Sequence, residues 1–186
     1  MSTDIFSYIS TAVSIIFAFS ASHLLAGLRD VVAPRRRDWL VVGWYTYLAY
    51  LHLLSWWSLI AAQGLADWNL GTFTLAMAVP GFLYLALYAL MSGTPAAVEG
   101  WRVHFERARP WFFTFYALFI AASALRETVL LHRAVISIAS ALDVISVVNA
   151  SVGAIVSNRR AQVLIFALEV LLAVLVSAQR YYLTPS

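Results

Sequence analysis

The sequence predicts an all-α membrane protein in which six transmembrane helices form one bundle. Of the 186 residues, 62% are hydrophobic and 11% are charged, whereas soluble domains are about half apolar and about a quarter charged. Charged residues also interrupt the apolar sequence at intervals close to the length of about 20 residues that a helix needs to cross the hydrocarbon. Lipid must therefore be the solvent for most of this chain, and helices satisfy the backbone there.

The first half of the chain contains three predicted spans. Residues 5–28 form an uncharged run that is too long for the core of a signal peptide. Residues 39–62 form the second span, and they hold His52 near the middle. Residues 70–92 form the third, in which Pro80 interrupts the apolar pattern.

The second half contains three more predicted spans, two of which carry an acidic residue. Residues 111–131 form the fourth span. Residues 134–157 are uncharged apart from Asp143, and residues 161–181 carry no charge before Arg180 apart from Glu169. Both still favour a spanning helix, because such apolar backbone has no other shelter in lipid.

The longest loop contains a further helical pattern over residues 95–109. Val98, Trp101 and Phe105 fall at helical spacing, while charged residues occupy the other faces. An apolar face with Trp and Phe is typical of a helix lying in the membrane interface, so we expect one on the cytoplasmic leaflet. An ordinary solvated loop is the alternative.

The arginines predict the orientation of the bundle. Nine of them fall in the loops after spans one, three and five, and we expect these loops to be cytoplasmic. They are Arg29, Arg35, Arg36, Arg37, Arg102, Arg107, Arg109, Arg159 and Arg160. With six helices, both termini are then non-cytoplasmic. The basic loop of Arg35, Arg36 and Arg37 is expected to face anionic lipid headgroups.

Small residues recur every fourth position along the first span. Ser10, Ser14, Ala18, Ser22 and Ala26 share this spacing. Small residues in register let another helix approach closely. The surface predicts close helix packing, either within the chain or in a homo-oligomer.

Four polar residues at membrane depth are the candidate pathway: His52, Asp143, Asn149 and Glu169. If spans five and six turn near Arg159, Glu169 lies at the level of Asn149. An amide does not neutralise a carboxylate, so Glu169 is expected either to carry a proton or to face water. The alternative is pairing with His23 or with an arginine of another helix.

Arg126 and Asp143 are the candidate ion pair between spans four and five. A turn near Arg133 brings the two to a similar depth, and either charge alone would be costly in lipid. Glu127 is the competing partner for Arg126.

His52 has two interpretations. A turn near Ala66 places it at the level of Pro80, which leaves the carbonyl of Ala76 without its helical partner. An imidazole N–H could fill that position, or the ring could stack on Trp56, and either role is structural. The functional alternative is a proton- or ion-handling group on a water-filled path.

Several classes of site find no support in the sequence. The chain has no cysteine and no lysine, so thiolate zinc sites, P-loops and Schiff-base cofactors are excluded. No two histidines share a depth as haem ligation requires, and no nucleophile stands beside a base. We therefore expect no metal, cofactor or catalytic residue, and no nucleic-acid partner.

Three segments resemble a group of short bacterial membrane proteins. The segments are "FSASHLLAGLRD", "RRRDWL" and "HLLSWW", and in that group a T-H/Q-L-L-x-G-L stretch ends the first helix and paired tryptophans end the second. The resemblance covers about the first 60 residues of this chain. It implies a multi-pass protein of the bacterial inner membrane and carries no assigned activity.

These observations lead to two expectations for function. The first is passage of a proton, small ion or small solute through the bundle, in an oligomer. The alternative is a non-catalytic membrane scaffold or partner subunit, in which the same buried polar groups hold helices together.

Overall fold

The structure, a computed structural model of the whole chain, describes residues 2–33, 37–59, 68–92, 100–130 and 134–179. This part of the chain folds into six α-helices. They are α1 (Ser2–Val32), α2 (Trp39–Leu59), α3 (Leu70–Met91), α4 (Trp101–Val129), α5 (Ile138–Ile155) and α6 (Arg159–Ala178). The all-helical architecture expected from the sequence is confirmed.

Five of the six helices are long and apolar enough to cross a membrane. The helix outside this group is α2, which has 21 residues and is therefore long enough. Its tryptophans, tyrosines and His52 lower its mean hydropathy, because these side chains have polar atoms that ordinary apolar residues lack. Its buried face also contributes more to the core than those of α1, α5 and α6 do.

Capping side chains move some helix ends away from the expected positions. Ser137 accepts a hydrogen bond from the backbone N–H of Ser140 at 3.1 Å, so α5 starts later than residue 134. Asn158 accepts from the N–H groups of Arg160 and Ala161, so α6 starts before residue 161. Both are N-caps, which satisfy amides that a helix start leaves free.

The interfacial helix and the fourth span, expected as two elements, form one helix from Trp101 onward. Pro110 lies inside α4 without ending it, and the earlier part of the predicted segment, residues 95–99, lies outside the described residues. Trp101 and Phe105 are buried, and the indole N–H of Trp101 donates to the carbonyl of Asp30 at 2.8 Å. Their apolar face therefore packs on the protein and does not need the membrane interface to cover it.

The core lies where α2, α3 and α4 meet, and α5 and α6 pack on the other side of α4 and α2. Two glycines allow close approach there. A Cβ on Gly153 of α5 would lie 2.6 Å from Phe113 of α4, and one on Gly43 of α2 would lie 2.8 Å from Phe166 of α6. Aromatic rings thus rest directly on the backbone of the neighbouring helix, as small residues permit.

Candidate functional site

A polar cleft opens between the C-terminal halves of α2, α4 and α6 and the N-terminal half of α5. Its volume is about 90 Å³, which is room for several water molecules. Hydroxyl groups and two charged side chains line it together with apolar residues. The polar lining consists of Tyr47, Ser55, Ser58, Tyr116, Ser123, Arg126, Asp143, Ser146 and Ser177.

Arg126 enters this cleft and contacts two partners. Its Nη2 donates to Ser58 Oγ at 2.9 Å and to Glu127 Oε1 at 3.2 Å. The expected ion pair between Arg126 and Asp143 is thus corrected to one with Glu127, the competing partner. Asp143 lines the same cleft, as the matching of depths implied. Glu127 follows Arg126 directly in α4, and its carboxylate is the one in contact with the guanidinium.

Glu169 lies beneath the cleft and is fully buried. Its Oε1 accepts a hydrogen bond from Asn149 Nδ2 at 2.9 Å, and its Oε2 accepts one from the Tyr116 hydroxyl at 2.8 Å. The expected juxtaposition of Glu169 and Asn149 is confirmed. Both of these partners are neutral, and the alternative partner His23 instead packs against Tyr84 and Tyr88 of α3.

Asn149 also joins α5 to α6 through the backbone. The same Nδ2 donates to the carbonyl of Ile165 at 3.0 Å. Its amide therefore has a structural role as well as its contact with Glu169, because interhelical hydrogen bonds hold membrane helices together.

Two tyrosines connect the cleft to Glu169. The hydroxyl oxygens of Tyr47 and Tyr116 are 2.8 Å apart, and both residues line the cleft. We did not predict a role for either from the sequence. The signal that would have found Tyr116 is depth: it lies 17 residues before Arg133 and Asn149 lies 16 after it, and a buried Tyr hydroxyl requires a partner.

Aromatic side chains pack on the side of Glu169 that faces away from the cleft. Trp44 lies with its ring centroid 5.1 Å from those of Phe112 and Phe166, and 5.3 Å from that of Phe113. Trp44, Phe112 and Phe113 have no exposed surface. We call this group, with Phe166, the aromatic cluster. It separates Glu169 from the helix ends that carry the arginines.

His52 is in a different place from the cleft. Its Nδ1 lies 2.7 Å from the Leu48 carbonyl and its Nε2 lies 2.8 Å from Ser20 Oγ of α1. Since a carbonyl only accepts, Nδ1 is the donor, and a neutral ring then accepts from Ser20. Neither the expected bond to the Ala76 carbonyl nor stacking on Trp56 occurs, because Ser20 offers a hydroxyl that can turn towards the ring.

The arginine-rich helix ends are joined to one another. Arg159 at the start of α6 donates to both carboxylate oxygens of Asp38 at 2.7 Å. Asp38 in turn accepts from the first amides of α2. Arg37 lies 3.8 Å from the centre of the Trp39 ring, a cation–π contact. Arg35 and Arg36 of the basic loop lie outside the described residues.

Within the described ranges, no group of three or more His, Asp or Glu residues is arranged to hold a metal ion. No family model, characterised protein or solved structure matches this chain. The cleft and Glu169 are the features of the structure that bear on function.

Proposed function

We propose that this protein passes a proton, a small ion or a small solute across the membrane, by way of the cleft. The observation that carries the proposal is Glu169, a fully buried carboxyl with Asn149 and Tyr116 as neutral partners beneath a polar cleft. Ionisable groups inside membranes are costly, and those retained at membrane depth commonly mark ion or substrate pathways.

The direction of the path follows from the arginines. The loops with nine arginines are cytoplasmic under the positive-inside rule, and the cleft opens at the opposite end of the bundle. In the proposed topology α2 crosses the membrane as well as the other five helices. With six spans, both termini are non-cytoplasmic. Substrate then enters from outside, and the aromatic cluster must move to let it reach the cytoplasm.

The proposed setting is the inner membrane of a bacterium, as the resemblance of the first helices implies. Arg37 and the neighbouring Arg35 and Arg36 would contact anionic headgroups. A homo-oligomer is supported by α1, whose Ser14, Ala18, Ser22 and Ala26 are exposed on the outside of the bundle. These small residues would let a second copy of the chain approach closely.

The second candidate is a membrane scaffold or partner subunit, and His52 favours it. Both of its ring nitrogens have partners in Leu48 and Ser20, so it holds α2 to α1 without any need for a pathway. In this view the Glu169–Asn149 contact is likewise a bond between helices.

Flux measurements in proteoliposomes separate the two candidates. Proton and cation flux through the native protein is compared with that of Glu169→Gln, which keeps the shape of the side chain and removes its charge. Glu106→Gln is the matched control, because Glu106 is an exposed carboxylate paired with Arg102. We expect Glu169→Gln to reduce flux to that of empty liposomes and the control to leave it unchanged.

Filling the cleft gives an independent test of the route. Ser123→Leu places an apolar side chain in the cleft, whereas Ser151→Leu changes an exposed position of α5. Flux should fall in the first variant alone. Absence of flux from the native protein with protons and a series of cations would instead favour the scaffold.

A further inference from the structure

The cleft and Glu169 are in contact through hydroxyl groups that line the cleft, those of Tyr116 and Ser146. Tyr47 and Tyr116 line the cleft, and Glu169 does not. The side chain of Glu169 has no exposed surface, and each of its two oxygens already accepts a hydrogen bond. A proton in the cleft can therefore reach the carboxyl in this structure only through hydroxyl groups, either along Tyr47 and Tyr116 or through Ser146 of α5.

The close packing around the Glu169 carboxyl admits a proton and excludes a metal cation. A metal cation needs several oxygen ligands around it, and no space for one adjoins the carboxylate. It would have to displace Tyr116 or Asn149 and leave a buried polar group unsatisfied, which is costly. A proton needs no such space, because it moves along an existing hydrogen bond.

The hydrogen bonds also have a direction. Tyr116 has one hydroxyl hydrogen, and it donates this to Glu169 Oε2. In the 2.8 Å contact between the two tyrosines, Tyr47 is then the donor, because Tyr116 lies closer to its hydroxyl than its other acceptor, the backbone carbonyl of Glu169 at 3.4 Å. The row runs from the cleft through Tyr47 and Tyr116 to Glu169, with every donor pointing towards the carboxylate.

We propose that the tyrosine row of Tyr47 and Tyr116 is a proton relay, and that the species exchanged at Glu169 is a proton and not a metal cation. The proposal rests on the proposed function and specifies its substrate at this site. As Tyr116 gives its proton to Glu169 Oε2, Tyr116 takes the proton of Tyr47, and Tyr47 takes one from a hydronium ion in the cleft. Both tyrosines end neutral, the carboxylate becomes a carboxylic acid, and the hydronium becomes water.

The charges of the other groups near the Glu169 carboxyl also bear on the movement of a proton to it. Asn149 and Ser146 face Glu169 from α5 and are neutral. The charged groups of the cleft are Arg126, which is paired with Glu127, and Asp143. They lie at the mouth of the relay, where they can influence how readily hydronium enters.

Infrared spectroscopy of the full-length protein in lipid tests the relay directly. The C=O stretch of a protonated carboxyl shifts on exchange into D₂O, and Glu169→Gln identifies the band. We expect Tyr116→Phe to keep this band and to slow its exchange about a hundredfold, the lower end of what a positioned acid–base group contributes to proton transfer. Tyr50→Phe is the matched control, since Tyr50 is exposed on α2 and contacts Ser177.

A second variant covers the case in which Tyr116→Phe fails to fold. Tyr47→Phe retains the bond between Tyr116 and Glu169 and is expected to slow exchange in the same way. Circular dichroism verifies the helix content of each variant. Unchanged exchange rates in folded Tyr47→Phe and Tyr116→Phe would overturn the relay, as would a Glu169 band that never appears over the pH range in which the protein is folded.

Added cations distinguish this inference from the proposed function. Loss of the Glu169 band on adding sodium or thallium at constant pH would show that a cation replaces the proton, which refutes the relay and leaves transport in place. Conversely, a native protein without flux, but with exchange that depends on Tyr116, would refute the proposed transport and support the relay.

Discussion

At the scale of the residue, several buried polar groups of the bundle are matched to a particular neighbour. The hydrogen-bond partner of His52 Nε2 is Ser20. Arg126 donates to Glu127 and Ser58, and Glu169 accepts from Asn149 and Tyr116. A buried polar atom left alone in lipid would cost more than these bonds contribute individually. At Glu169 this matching leaves a carboxyl with the neutral partners Asn149 and Tyr116 next to a polar cleft.

Removing the partner of His52 should therefore weaken the bundle without affecting flux. Ser20→Ala leaves Nε2 without its hydrogen bond, and we expect a loss of about 1 kcal/mol, the usual scale for such bonds between helices. The measurement is denaturant-induced unfolding in micelles. Ser22→Ala is the control, because Ser22 is exposed on the same helix; an equal loss in both variants would contradict a structural role for the Ser20–His52 bond.

At the scale of the element, the helices are held by direct contact of rings with backbone. Phe113 of α4 lies against Gly153 of α5, and Phe166 of α6 lies against Gly43 of α2. These contacts fix how closely α4 approaches α5 and how closely α6 approaches α2, the four helices that line the cleft.

Gly153→Ala should push α4 and α5 apart. The added Cβ would lie within 2.6–2.8 Å of three atoms of the buried Phe113 ring, and overpacking of this kind costs about 1–3 kcal/mol. Unfolding in micelles gives the change in stability. Gly81→Ala in α3 is the control, since its Cβ would meet nothing within 4 Å, and the better helix propensity of Ala should leave it neutral or more stable. Equal stability of the two variants would refute the close contact.

At the scale of the whole molecule, the charges divide the bundle into two unlike ends. One end joins Arg159 to Asp38 and Trp101 to the Asp30 carbonyl. The polar cleft occupies the other end, and the aromatic cluster lies between them. The bundle is thus open on one side, as the proposed path to Glu169 would require.

Labelling of single cysteines tests which end faces the cytoplasm. The native chain has no cysteine, so Ser2→Cys, Pro185→Cys and Ser157→Cys each introduce one thiol. An impermeant reagent added to spheroplasts should label the first two and not Ser157→Cys, because positively charged loops remain cytoplasmic. Labelling of Ser157→Cys with protection of both termini would reverse the orientation and place the cleft on the cytoplasmic side.

The sequence by itself determined the helical class, the approximate extent of the helices and the level of Glu169 opposite Asn149. Lipid imposes helices on any long apolar segment, and a short turn places residues equidistant from it at equal depth. These constraints are local, so composition and counting along the chain were sufficient. The same counting would have placed Tyr116 near Asn149.

Only the tertiary structure decided which side chains meet at a given depth. Depth does not specify rotation about the helix axis, so Arg126 could face Glu127 or Asp143, and His52 could face Ser20 or the kink at Pro80. Packing of rings such as Phe113 and Phe166 on glycine backbone sets those rotations. The tyrosine row arises in the same way, because it requires α2, α4 and α6 to present three side chains to one point.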